Sequence, residues 1–118
     1  MHSLPMYSLP MPGSELLRGH LDRLLVAVLA ESPGHGYELA QRLAERSGGE
    51  LGVPEGSLYP ALHRLERGGL VKSRWDDGDG RRRRVYSLTP AGRRRLRGWR
   101  AEWQAFSGAI DRVLGVAA

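Results

Sequence analysis

From Thr89-Pro90 onward the sequence carries Leu96, Trp99, Trp103, Phe106, Ile110 and Val113, spaced 3, 4, 3, 4 and 3 residues apart. Threonine as cap and proline at the first helical position mark a helix start. The spacing is a heptad seam, and it predicts one helix from about Pro90 to Leu114. A chain of 118 residues has room for a single small core. Six large apolar side chains on one stripe exceed what such a body can cover. The seam therefore predicts a homodimer whose interface is Leu96, Trp99, Trp103, Phe106, Ile110 and Val113. The competing arrangement folds the helix back onto its own domain.

The rest of the chain reads as short helices followed by a hairpin. Residues 1–13 contain three prolines and a near repeat of one pentapeptide, Met1 to Pro5 and Met6 to Pro10. That composition denies a helix and predicts a flexible arm, with Met6 and Met11 as alternative starts. Ser14 is placed to cap a first helix reaching about Ala30, with Leu17, Leu21, Leu24, Leu25, Val28 and Leu29 at helical spacing. Ser32-Pro33-Gly34-His35-Gly36 reads as a turn. A second helix runs from about Tyr37 to Arg46 and stops at Ser47-Gly48-Gly49.

A third helix is expected from Ser57 to Arg67. With Ser57 as cap, Pro60 falls in the first turn, where an amide has no intrahelical partner. Leu58, Leu62 and Leu65, flanked by Ala61, form its inner face. At 100° per residue the opposite face carries Tyr59, Pro60, His63 and Arg67, with Arg64 at its margin and no acid. Leu70 to Trp75 then reads as a strand, Asp76-Asp77-Gly78-Asp79-Gly80 as a turn and Arg83 to Leu88 as the returning strand. The wing acids Asp76, Asp77 and Asp79 are read as shaping that turn.

Charge is distributed unevenly along this order. Residues 81–100 hold nine arginines and no acid, while the remaining nine cations face all 13 acids, leaving the rest of the chain at −4. A local basic patch on a mildly acidic body is a footprint for phosphate. Helix, helix, helix, cationic hairpin and long helix together give the fold class: mainly α with a small β-hairpin, a winged helix-turn-helix plus one long C-terminal dimerisation helix. The boundaries are 1–13 for the arm, 14–89 for the DNA-binding domain and 90–118 for the dimerisation helix. The third helix is the element that enters a major groove. The expected DNA-binding residues are Ser57, Tyr59, Pro60, His63, Arg64 and Arg67 on that helix and Arg81, Arg82, Arg83 and Arg84 in the wing.

Other classes fare poorly. The chain has no cysteine, which excludes a disulfide scaffold, a thiolate metal site and a thiol nucleophile, and which fits a reducing, cytoplasmic setting. No apolar run is long enough to span a bilayer, so no membrane partner is expected. His2, His20, His35 and His63 lack metal-ligand spacing, so neither a metal nor a cofactor is expected. No nucleophile elbow or phosphate loop is present, so catalysis is not expected. The competing function is a winged helix that binds DNA without sequence preference, or binds protein.

Three stretches carry a specific resemblance. They are His35-Gly36-Tyr37-Glu38-Leu39; Gly56-Ser57-Leu58-Tyr59-Pro60-Ala61-Leu62-His63-Arg64-Leu65-Glu66 with Gly69-Leu70-Val71; and Arg84-Val85-Tyr86-Ser87-Leu88-Thr89-Pro90-Ala91-Gly92. Together they resemble the PadR family of bacterial winged-helix transcriptional regulators, over about residues 16–115 and in the short subclass with one terminal helix. The proline-rich arm departs from the family pattern. The resemblance implies a homodimer built through the terminal and first helices, a palindromic double-stranded operator and repression of transcription. For some members it implies relief by a small planar or aromatic effector held among aromatics of the terminal helix. Trp103 is then the first candidate contact, with Trp99 and Phe106 next. Interface packing alone also accounts for these three residues.

Overall fold

The computed structural model describes residues 19–78 and 80–116. The N-terminal arm, the Ser14 cap, Leu17 and the wing acid Asp79 lie outside the described residues. The elements are α1 (Leu21–Leu29), β1 (Gly34–His35), α2 (Gly36–Arg46), α3 (Glu55–Arg67), β2 (Val71–Asp76), β3 (Arg83–Leu88) and α4 (Pro90–Leu114). This is a winged helix with a long terminal helix, as its residue pattern predicts.

Helix α1 is the hub. Leu21, Leu25, Val26, Val28 and Leu29 are all buried, so its surface is apolar well beyond one stripe. Leu39 and Leu43 of α2, and Leu58, Ala61, Leu62 and Leu65 of α3, close on it. The wing contributes Val71, Val85, Leu88 and the fully buried Tyr86. Burial pushes the Tyr86 phenol above its ordinary pKa.

Three expectations about local structure change. Gly19, at φ +85°, and His20 form a turn and α1 begins at Leu21, so the first helix expected from Ser14 to about Ala30 is interrupted there. The stretch read as a turn at Ser32 to Gly36 holds a third strand: Gly34 and His35 pair antiparallel with Tyr86 and Val85, giving the sheet order β1-β3-β2. Two residues are too few for a period-2 pattern, so only their partner strand reveals them. Helix α3 begins at Glu55, capped at Pro54, and the Ser57 amide donates to the Pro54 carbonyl at 2.9 Å. Ser57 is therefore not the cap, and Pro60 lies inside the helix. The proline is tolerated because it sits on the exposed face, as does Gly56, whose carbonyl loses its intrahelical donor.

The end of α3 and the start of α4 are fastened together. Gly69, at φ +77°, lets the Leu70 amide reach back to the Leu65 carbonyl at 3.0 Å and its own amide reach Glu66 at 3.0 Å, a Schellman closure. Thr89 caps α4 by accepting from the Gly92 amide at 3.0 Å, and its hydroxyl donates to the Gly69 carbonyl at 2.7 Å. Its own amide donates to Leu70 at 3.0 Å. Gly92 is buried beneath the wing, where a Cβ would run into the Leu70 carbonyl and lie 2.5 Å from a Leu88 methyl.

The heptad seam divides along its length. Leu96 is buried in its own domain and Trp99 packs against the same core. This corrects the expectation that all six seam residues serve an interface: at 5% exposure, Leu96 has almost no surface left for a partner. Trp103, Phe106, Ile110 and Val113 stay exposed, at 51%, 58%, 40% and 85%.

Candidate nucleic-acid interface

An open groove of about 620 Å³ lies between α3, the start of α2 and the wing. Tyr59 and His63 border it from α3, Tyr37 from α2, and Trp75 with Arg82, Arg83 and Arg84 from the hairpin. The structure thus brings five of the ten expected DNA-binding residues to one concavity: Tyr59, His63, Arg82, Arg83 and Arg84. Pro60 and Arg67 are exposed on α3, and Arg81 is exposed at the wing turn. Ser57 is half-buried in the first turn of α3.

Arg64 is engaged elsewhere. Its guanidinium forks onto Asp22 of α1, with Nη2 at 2.8 Å and Nε at 3.2 Å. That bidentate bond raises the arginine's pKa and ties α3 to α1. A DNA contact by Arg64 must compete with this pair.

Tyr59 is positioned by a glycine. A Cβ on Gly36 would stand 2.7 Å from the Tyr59 hydroxyl, so only glycine lets the phenol lie across the start of α2. Beside it, the His35 amide donates to the Glu38 carboxylate at 2.8 Å, which holds that carboxyl below its usual range. The His35 ring stands 2.9 Å from Glu38 through Nδ1 and 3.6 Å from Asp76 through Nε2. It therefore spans α2 and the wing.

The wing arginines have different settings. Arg84 donates to Ser73 at 3.0 Å, and Ser73 donates to Glu66 of α3 at 2.7 Å. Arg84 is thereby part of the seam between hairpin and helix. Arg82 reaches Asp77 at 3.9 Å. The guanidiniums of Arg82 and Arg84 lie 4.7 and 4.9 Å from the Trp75 ring centroid. Asp76 accepts from the Gly78 amide at 3.2 Å and so shapes the turn, the role expected of it.

Trp75 is a candidate site residue that the sequence did not single out: it borders the groove and lies under two wing arginines. A signal existed in the register: Trp75 pairs directly with Arg84, and residues two apart on a strand share a face. We expect Trp75→Ala to weaken DNA binding about five- to thirtyfold, since it removes two exposed cation–π interactions at roughly 0.5–1 kcal/mol each. Unchanged affinity in a fluorescence titration would show that the indole does not organise the wing.

A second concavity, of about 670 Å³, lies between α1 and α4. Trp99 and Trp103 line it with His20, Leu24, Ala27 and Leu96. Arg23 and Arg95 lie 5.3 and 5.6 Å from the Trp99 ring centroid, and His20 meets Trp103 edge to face at 5.6 Å. Phe106 is not on its wall and sits beside Trp103, with ring centroids 6.0 Å apart.

Residues 25–98 match the model of the transcriptional regulator PadR-like family. A transcriptional regulator of Mycobacterium tuberculosis is 48% identical over 67 residues, which cover 57% of this chain and 60% of that protein. The fold is similar to a transcriptional regulator from Clostridium thermocellum, with a TM-score of 0.76 at 28% identity, covering 84% of this chain and 97% of that one. It is similar also to a PadR family regulator from Eggerthella lenta, with a TM-score of 0.74 at 35% identity, covering 85% and 86%.

Proposed function

The chain belongs to the PadR-like family of transcriptional regulators, and from that premise we propose that it is a homodimeric repressor of a palindromic operator. The observation that carries the reading is the groove. An acid-free helix face with Tyr59 and His63 meets a cationic hairpin across one open concavity. Helix α3 supplies base contacts and the wing supplies phosphate contacts.

Dimerisation is supported by α4. Trp103, Phe106, Ile110 and Val113 recur at heptad spacing and remain exposed, a surface that a monomer rarely leaves open. Pairing through this seam sets two α3 helices roughly 34 Å apart, one turn of DNA. The cavity lined by Trp99 and Trp103 suits a planar aromatic effector, with Phe106 contributing from beside it. Such a ligand releases DNA only in so far as it prefers the dimer shape that misaligns the two helices. No helix among the described residues is long and apolar enough to cross a membrane. A repressor of this kind works in the cytoplasm.

His63→Ala and Tyr59→Ala are each expected to cost about 1–3 kcal/mol on the operator and to narrow the gap to scrambled DNA. Arg81→Ala with Arg82→Ala should instead weaken both duplexes alike, lowering the salt slope by roughly 0.9 for each phosphate that is no longer neutralised. Anisotropy titrations across a salt series separate the two patterns. The reading fails if the helix substitutions weaken both duplexes equally.

A further inference from the structure

The charge excess of residues 81–100 does not rest mainly on the wing. Arg82 and Arg84 are engaged with Asp77 and Glu66, whereas Arg93, Arg94 and Arg97 have no acidic partner among the described residues. All three are exposed on the first turns of α4, a stretch without an acid. At 100° per residue they share a face about 100° wide, roughly 135° round from the apolar side carrying Leu96, Trp99 and Trp103. The stripe therefore stays open whether or not the apolar seam is covered. Cations at a helix start oppose the macrodipole, so stability does not explain the cluster.

Its position separates it from the groove. Val71 pairs with Leu88 at the base of the wing and Asp76 with Arg83 toward its tip, about 17 Å apart at 3.3 Å per residue. The groove of Tyr59 and His63 takes in Arg82, Arg83 and Arg84 toward the tip and reaches only as far as Tyr86, in mid-strand. Helix α4 starts at the other end, where Thr89 is bonded to Gly69 and Leu70.

We infer that Arg93, Arg94 and Arg97 form a second, sequence-independent site for the phosphate backbone of DNA, by which a protein already seated on one duplex holds a second. The inference rests on the DNA-binding reading above and adds a surface to it. The occupant follows from charge complementarity. Three guanidiniums on one face, without an acid among the described residues to hold them, meet the chemistry of a duplex that presents a negative charge about every 1.7 Å.

The test is a bridging assay. DNA from upstream of the gene is immobilised and saturated with protein, and a labelled scrambled duplex is then added. Wild type should retain the labelled duplex. Arg93→Gln/Arg94→Gln/Arg97→Gln should hold the first duplex within about twofold yet release the second, its salt slope for capture falling by about 2.7 for three phosphates. The charge-conserving Arg93→Lys/Arg94→Lys/Arg97→Lys should keep capture. Wild type that holds the first duplex and no second overturns the inference, as does undiminished capture by the glutamine variant. Parallel release of both duplexes would assign these arginines to the primary interface and overturn a separate site. Preference for polyglutamate over DNA at equal charge would assign the face to an acidic protein instead. Failure of wild type on the first duplex would overturn the DNA reading itself.

Discussion

Ile110→Glu is expected to turn the proposed homodimer into a folded monomer. Ile110 lies on the exposed half of the α4 seam, between Phe106 and Val113 in the heptad. In a two-fold interface each substitution acts twice, so two carboxylates would be buried without partners. Dimer affinity should fall at least about 100-fold, about 2.7 kcal/mol. The monomer's own core is untouched, because Leu96 and Trp99 carry the packing against the domain and Ile110 does not. Sedimentation should then report the monomer mass with unchanged far-ultraviolet circular dichroism. Operator affinity should fall with it, since one recognition helix replaces two. A variant that sediments as wild type would move the interface off this seam.

Gly92→Ala is expected to cost about 2–3 kcal/mol of stability, the upper part of the range for overpacking. The obstruction is backbone, the Leu70 carbonyl, together with the Leu88 side chain. Neither can move without loosening the joint at which Thr89 fastens α4 to the end of α3. A cost of this size lowers the melting temperature by roughly 10 °C for a domain of this length. Gly98→Ala is the control. Nothing stands within 4 Å of its added Cβ, and Gly98 is exposed in mid-helix. Alanine there should stabilise by about 0.5–1 kcal/mol. Thermal melts in which the two variants shift alike would show that Gly92 does not set the packing of α4.

Long periodic segments and strong caps were legible from sequence. The α4 seam, the Thr89-Pro90 start and the β3 limits are found where the residue pattern places them. What escaped depended on partners distant in the chain. The strand at Gly34–His35 exists because β3 passes beside it. Ser57 suited a cap, yet the backbone turned helical earlier, and nothing in Pro54-Glu55 outweighed the preference for serine. Leu96 looked like its seam companions because periodicity identifies a stripe without saying what covers it.

At the site, residue types were readable and their engagements were not. The outer face of α3 followed from helical geometry. That Asp22, 42 positions away in sequence, takes the Arg64 guanidinium did not. Likewise Gly36 read as turn punctuation, whereas its small size serves the Tyr59 ring.

Operator-specific binding by a homodimer is tested most directly by fluorescence anisotropy, comparing the DNA upstream of the gene with a scrambled duplex across a salt series. A homodimeric operator-specific repressor should prefer the native duplex several hundredfold or more, and Ile110→Glu should abolish that preference together with dimerisation. Equal and steeply salt-dependent binding to both duplexes would contradict operator-specific binding.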